Sequence, residues 1–166
     1  MEELPRQRPG VNFSRPLLGG NGRFDASWAA RRGAEARERG RVMKWGALML
    51  GGALGATLRY ALTVFVDQRI AALFPWGTLA VNALGCFLIG VVLTIFDQRE
   101  LFSPVLRLFV VTGVLGAFTT FSTFSLESWR LVEAGRAGLA FANIAASLLL
   151  CLAATFVGIA VAQRAG

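Results

Sequence analysis

The sequence predicts an all-α integral membrane protein of four helices, and three observations carry that expectation. Of the 166 residues, 55% are hydrophobic, only 16% are charged and none is histidine, whereas a soluble domain has about a quarter of its residues charged. The charges are also segregated. Arg59 is the only one from Trp45 to Val66, and none falls in residues 70–96, 108–126 or 137–163. Each neutral stretch is long enough to cross a hydrocarbon core, which takes about 20 helical residues. Tryptophans then mark the ends: Trp45 opens the first stretch, Trp76 the second, and Trp129 closes the third, where indoles prefer the headgroup level. Four buried helices of a soluble core are excluded because so short a chain leaves almost nothing to cover them. The expected spans are residues 45–66, 74–96, 108–130 and 137–163.

Residues 1–42 differ in kind, with nine arginines, five acids and three prolines and little apolar periodicity. They contain no apolar h-region, so they are not a secretory signal peptide. They read as a disordered basic extension, with a short basic helix over residues 28–41. Met43, followed by Lys44 and Trp45, is a second candidate start, which would make the extension an over-long gene call and leave residues 43–166 as the membrane domain.

The first span carries Gly51, Gly52 and Gly55, a small-xxx-small spacing that lets helices approach closely. Arg59 lies about two turns before its end, within snorkelling reach of the interface, either as an anchor or as positive potential at a vestibule. The second span sets Asn82 near its midpoint, where an amide must find a partner, whether as glue between helices or as a lining group. On the fourth span Asn143 and Ser147 are four apart and so share a face.

The third span holds the unusual passage "GVLGAFTTFSTFSLESW", residues 113–129. Gly113, Gly116, Thr119 and Thr120 fall at its centre, and glycines with hydroxyl side chains favour a break in the helix. Non-helical backbone at membrane depth survives only inside protein or beside a watery cavity. There, freed carbonyls bind cations and freed N–H groups attract anions. Phe121 and Phe124 are three apart and face the same way. Their positive ring edges can attract an anion, or the rings can simply pack.

The neutral centres of the spans after Arg59 hold no acid, lysine or histidine, which argues against a proton-coupled transporter with an ionisable group at depth. Serine hydrolysis lacks a base, no metal cluster is spaced for ligation, and an enzyme is not expected. Cys86 and Cys151 read as small apolar fillers. The net charge of +7 is juxtamembrane, which argues against nucleic-acid binding. From Met43 onward, Lys44, Arg99, Arg107 and Arg164 fall on one side, and Arg59, Arg69, Arg130 and Arg136 on the other. Four against four gives the positive-inside rule nothing to act on, so two oppositely inserted copies can pair. If the extension is made, Arg31, Arg32, Arg37, Arg39 and Arg41 push the N-terminus toward the cytoplasm. A neutral path of hydroxyls and amides suits passive conduction.

The blocks "GGALGATLRY" (51–60), "GTLAVNALGCFLIG" (77–90) and "GVLGAFTTFSTFS" (113–125), followed by a polar fourth helix, resemble the Fluc (CrcB) fluoride channels over residues 44–163. The resemblance implies a bacterial inner-membrane, dual-topology antiparallel homodimer with two fluoride pores and a structural sodium ion at the interface. It implies that Phe121 and Phe124 meet fluoride with their ring edges and that Asn82 is the pore-lining amide. Ser122, Thr123 and Ser147 would belong to the polar path, Gly116 and Thr119 would give carbonyls to sodium, and Arg59 would stand at a vestibule. Asn143 departs from the family, since some members have tyrosine there, and Ala117 stands where a second glycine is common. Two other readings stay open: a small dual-topology transporter, and a non-conducting accessory protein whose polar groups only join helices.

Overall fold

The computed structural model describes residues 22–70, 72–99 and 102–165, with side chains from residue 28 onward. Its helices are α1 (Gly22–Arg69), α2 (Trp76–Gln98), α3 (Pro104–Arg107), a π-helical segment (Leu108–Leu115), α4 (Gly116–Phe118), α5 (Phe121–Glu133) and α6 (Ala137–Ala165). The segments from α3 to α5 are one helical stretch, residues 104–133, interrupted near its centre. Four stretches, Trp28–Arg69, Trp76–Gln98, Pro104–Glu133 and Ala137–Ala165, are long and apolar enough to cross a membrane.

Two compact units divide the chain, Met1–Arg39 and Gly40–Gly166. In the first, the side chains of residues 28–39 are exposed, and the Arg32 guanidinium lies 4.6 Å from the centre of the Trp28 ring. The short helix expected over residues 28–41 lies within α1, which begins earlier, at Gly22, and runs on without a break into the first span. Arginine and alanine dominate residues 22–42, and both are good helix formers. Residues 1–21 lie outside the described part.

In the second unit the ends of the helices are fixed by local chemistry. Ser103 caps α3, its hydroxyl accepting from the Leu106 N–H at 3.2 Å, with Pro104 at the first helical position. The carboxylate of Asp67, near the end of α1, accepts from the Gly77 N–H at 3.0 Å, so one span caps the start of the next. After α5, Gly135 takes a positive φ of 70°. Arg136 N–H then bonds back to Leu131 and Gly135 N–H to Val132, the Schellman closure that glycine permits.

Close approach of backbones decides the packing. A Cβ on Gly51 would lie 2.6 Å from the Phe109 carbonyl oxygen, and one on Gly55 would overlap the Val114 carbonyl. The small-xxx-small spacing of α1 therefore serves contact with the third stretch. Gly90 and Gly158 do the same between α2 and α6, against the Thr155 and Phe87 carbonyls respectively. The buried core is small: Leu79, Val81, Leu115, Phe118, Leu131, Ala140 and Ala162 are its hydrophobic members. Large apolar side chains such as Leu149, Phe141 and Phe156 face outward instead. An apolar exterior of this extent suits lipid as its solvent.

Candidate functional site

The site is built around the interruption in the third stretch. Thr119 (φ −80°, ψ 157°) and Thr120 (φ −150°, ψ 113°) are extended, and the helix restarts at Phe121. Thr120 is the N-cap of α5, its hydroxyl accepting from the Thr123 N–H at 3.2 Å. The same hydroxyl donates to Thr123 Oγ1 at 3.0 Å and lies 3.3 Å from Ser122 Oγ. Three hydroxyls thus gather at one helix start.

Asn82 holds the break open. Its Oδ1 accepts from the Thr120 N–H at 2.8 Å, and its Nδ2 donates to the Thr120 carbonyl at 3.1 Å. A side-chain amide so oriented replaces the backbone partners that extended residues lose inside a helix bundle. One amide hydrogen of Asn82 is left over for another acceptor.

The clamp also changes two carbonyls upstream. In an unbroken helix the Thr120 N–H would serve the Gly116 carbonyl, and the Thr123 N–H the Thr119 carbonyl. Those N–H groups go to Asn82 and to the Thr120 hydroxyl. Gly116 and Thr119 therefore lose the donors a continuous helix would give them. The preceding π-helical segment, Leu108–Leu115, is a second departure from regular geometry, of a kind common at functional sites.

A groove of about 570 Å³ runs beside the break, walled by Asn82, Gly116, Phe121, Phe124, Ser147 and Cys151 among others. Phe121 and Phe124 are neighbours with ring centres 5.4 Å apart and planes at 48°. Phe121 is 79% exposed, so it is not a core side chain of its own chain. The Ser147 hydroxyl faces the groove, buried and with no hydrogen-bond partner among the described residues. An orphan hydroxyl in an apolar wall is unfavourable unless something else meets it.

Asn143 and Ser147, which share a helical face, serve different neighbours. Asn143 is 1% exposed and donates to Ser128 Oγ at 3.0 Å, while Ser128 in turn donates to the Phe124 carbonyl at 2.8 Å. Asn143 thereby steadies the backbone beneath Phe124, and it is not among the residues lining the groove. Ser122 and Thr123 stand at the α5 cap next to the groove.

Three features escaped sequence reasoning. Glu127 lies outside the neutral stretch but within the third helix, where its Oε1 accepts from Thr78 Oγ1 at 2.9 Å. Its Oε2 is buried without a partner among the described residues, as is Nε of Arg59. The available signal was spacing: Thr78 sits one turn before Asn82, and Glu127 comes three residues after Phe124, so each continues the face already singled out. Ser128 was the second. The third is the approach of Cys86 to Cys151, whose carbonyls share the Thr155 hydroxyl and whose separation by 65 positions hides it.

Similarity to known proteins covers the same residues. The family model described as "CrcB-like protein, Camphor Resistance (CrcB)" matches residues 46–159. A protein of Sorangium cellulosum named "Fluoride-specific ion channel FluC" is 47% identical over 121 residues, covering 73% of this chain and 95% of that one. A protein of the same name from Magnetococcus marinus is 46% identical over 114 residues, covering 69% and 93%. Another from Opitutus terrae is 49% identical over 113 residues, covering 67% and 86%. With the matched region running from α1 through the break and its clamp into α6, the chain belongs to the CrcB family.

Proposed function

We propose that this chain is a fluoride-selective, passive ion channel of the bacterial inner membrane, exporting cytoplasmic fluoride and lowering its toxicity. The observation that carries the reading is the Asn82 clamp on Thr120. It keeps a stretch of backbone extended within an apolar helix, beside the exposed Phe121 ring, the half-buried Phe124 ring and a serine hydroxyl without a partner among the described residues. Relatives named for fluoride conduction at 46–49% identity support the choice of ion.

Fluoride is small and tightly hydrated, so its path must replace water with many neutral donors without trapping the ion. Ser147 Oγ and the remaining amide hydrogen of Asn82 are donors of that kind, and the edges of Phe121 and Phe124 add weak positive potential. Ser122 and Thr123 extend the polar surface at the α5 cap. Asn143 acts at one remove, through Ser128 on the Phe124 backbone. Arg59 adds positive potential at a vestibule. Hydrogen fluoride that crosses the bilayer dissociates in the less acidic cytoplasm, and the trapped anion leaves through this path.

The working assembly is an antiparallel homodimer with two pores. Balanced basic residues on either side support dual insertion, and the groove of a single chain is open enough to take a second copy as its far wall. A structural sodium ion at that interface fits the chain's chemistry. The Gly116 and Thr119 carbonyls, deprived of their helical donors, are hard oxygen ligands, and a second copy would double their number. Sodium would fix the two breaks against each other, and no transport step runs through it.

Fluoride efflux from liposomes holding the purified full chain tests the reading, with chloride as control anion. Passive fluoride flux with little chloride flux is expected. Glu127, a carboxylate within the third helix, makes the proton-gradient control necessary. Flux that requires such a gradient, or equal chloride flux, would replace the channel with a coupled transporter or a non-selective pore.

A further inference from the structure

The two cysteines of this chain are 65 positions apart in sequence, yet α2 and α6 bring them together. A single hydroxyl reports their closeness: Thr155 Oγ1 donates to the Cys86 carbonyl at 3.2 Å and to the Cys151 carbonyl at 3.1 Å. The helices can meet there because Gly90 and Gly158 lack side chains, and a Cβ on Gly90 would stand 2.5 Å from the Thr155 carbonyl oxygen. Both cysteines are free, both are partly exposed, and both line the groove beside Ser147 and Thr155.

We propose that Cys86 and Cys151 form a two-thiolate site for a soft, two-coordinate cation of the Hg²⁺ or Ag⁺ class. Thiolate sulfur selects soft metals over hard ones. No cluster of three or more histidine, cysteine or acidic residues exists among the described residues, so the four-ligand cage that structural zinc requires is not offered here. Two sulfurs from facing helices suit an ion that is satisfied by two. Binding is an exchange without oxidation: each thiol releases its proton to solvent as its sulfur bonds to the metal, so one Hg²⁺ displaces two protons. The rigid contact at Gly90, Thr155 and Gly158 fixes the pair in advance, so the second sulfur acts as a tethered ligand. The groove gives the ion access.

The site is tested by binding alone, without transport, so its failure and that of the fluoride reading are separate results. Purified full chain in detergent, in chloride-free buffer, is titrated with Hg²⁺ against a competing chelator. Metal per chain after gel filtration and the ultraviolet sulfur-to-mercury band are followed. One Hg²⁺ per chain is expected. Cys86→Ser and Cys151→Ser should each weaken retention by roughly a hundredfold, the scale on which losing a tethered second ligand acts. Cys86→Ala and Cys151→Ala, which bring no oxygen ligand, must show the same loss, with helix content and elution volume unchanged. Two Hg²⁺ per wild-type chain, or a single variant that holds Hg²⁺ as tightly as wild type, would show thiols acting singly and overturn the site.

Discussion

Asn82 and Thr120 exchange two hydrogen bonds, side-chain amide to backbone, at 2.8 and 3.1 Å. The pair satisfies both polar groups of an extended residue set in an apolar bundle. Asn82→Leu would leave the Thr120 N–H and carbonyl without partners, and a buried orphan of this kind destabilises by about 1–3 kcal/mol. We expect a lower melting temperature of the purified protein together with lost fluoride flux. Equal melting temperatures for wild type and Asn82→Leu would remove the clamp from the account.

Phe121 and Phe124 separate lining from packing. Phe121 is 79% exposed in the single chain, so Phe121→Ile should change the chain's own stability by no more than about 0.5 kcal/mol. Phe124 is half-buried, and a shape change there should destabilise by on the order of 1–2 kcal/mol. Isoleucine at either site removes the positive ring edge. Fluoride efflux should fall steeply while the purified protein still elutes at the wild-type volume. Variants that conduct normally would return both rings to a packing role.

The clamp and the ring pair mark the boundary between what is legible in one dimension and what is not. The neutral stretches and end tryptophans foretell four long apolar helices, because span length and charge segregation are one-dimensional properties. The break is legible because Gly116, Thr119 and Thr120 lie close together in the chain. The clamp on it is only half legible: Asn82 stands out as a mid-span amide, but its target lies 38 residues away. Asn143 and Ser147 share a face, yet Ser128 takes one and the groove takes the other, a division set by which helix packs opposite. Glu127 escapes notice because counting charge-free residues stops at the first acid, while the helix continues to Glu133. Residues 1–42 read as disordered by charge and proline content, apart from a short helix over residues 28–41. The prolines all lie before residue 17, and the helix starts at Gly22 and continues into the first span.

Orientation depends on the charge balance. In a chain starting at Met43, with Cys86 and Cys151 replaced by serine, an added loop cysteine should be labelled from one side in roughly half the molecules, since no positive-inside bias acts. The full chain carries Arg31, Arg32, Arg37, Arg39 and Arg41 before the first span and should shift toward a cytoplasmic N-terminus. Labelling of nearly all or none of the shorter chain would rule out dual insertion.

Two glycines contrast packing within a chain with packing between copies. At Gly55 a Cβ would overlap the Val114 carbonyl of the same chain, so Gly55→Ala must push α1 from the third stretch. The protein should lose stability by about 1–3 kcal/mol, as overpacking does, with or without a partner. Gly116 is different: its added Cβ would meet only the Val111 carbonyl oxygen, at an ordinary 3.6 Å. The chain itself has room for Gly116→Ala, so any loss must come from what lies across the groove. If sodium and a second copy sit there, Gly116→Ala should weaken the dimer and reduce the rise in melting temperature that sodium gives over a large organic cation. Thr119→Ser keeps the carbonyl and a hydroxyl able to reach Leu115, and should preserve that rise. A Gly116→Ala protein with unchanged self-association and an unchanged sodium response would remove both the ion and the interface from this site.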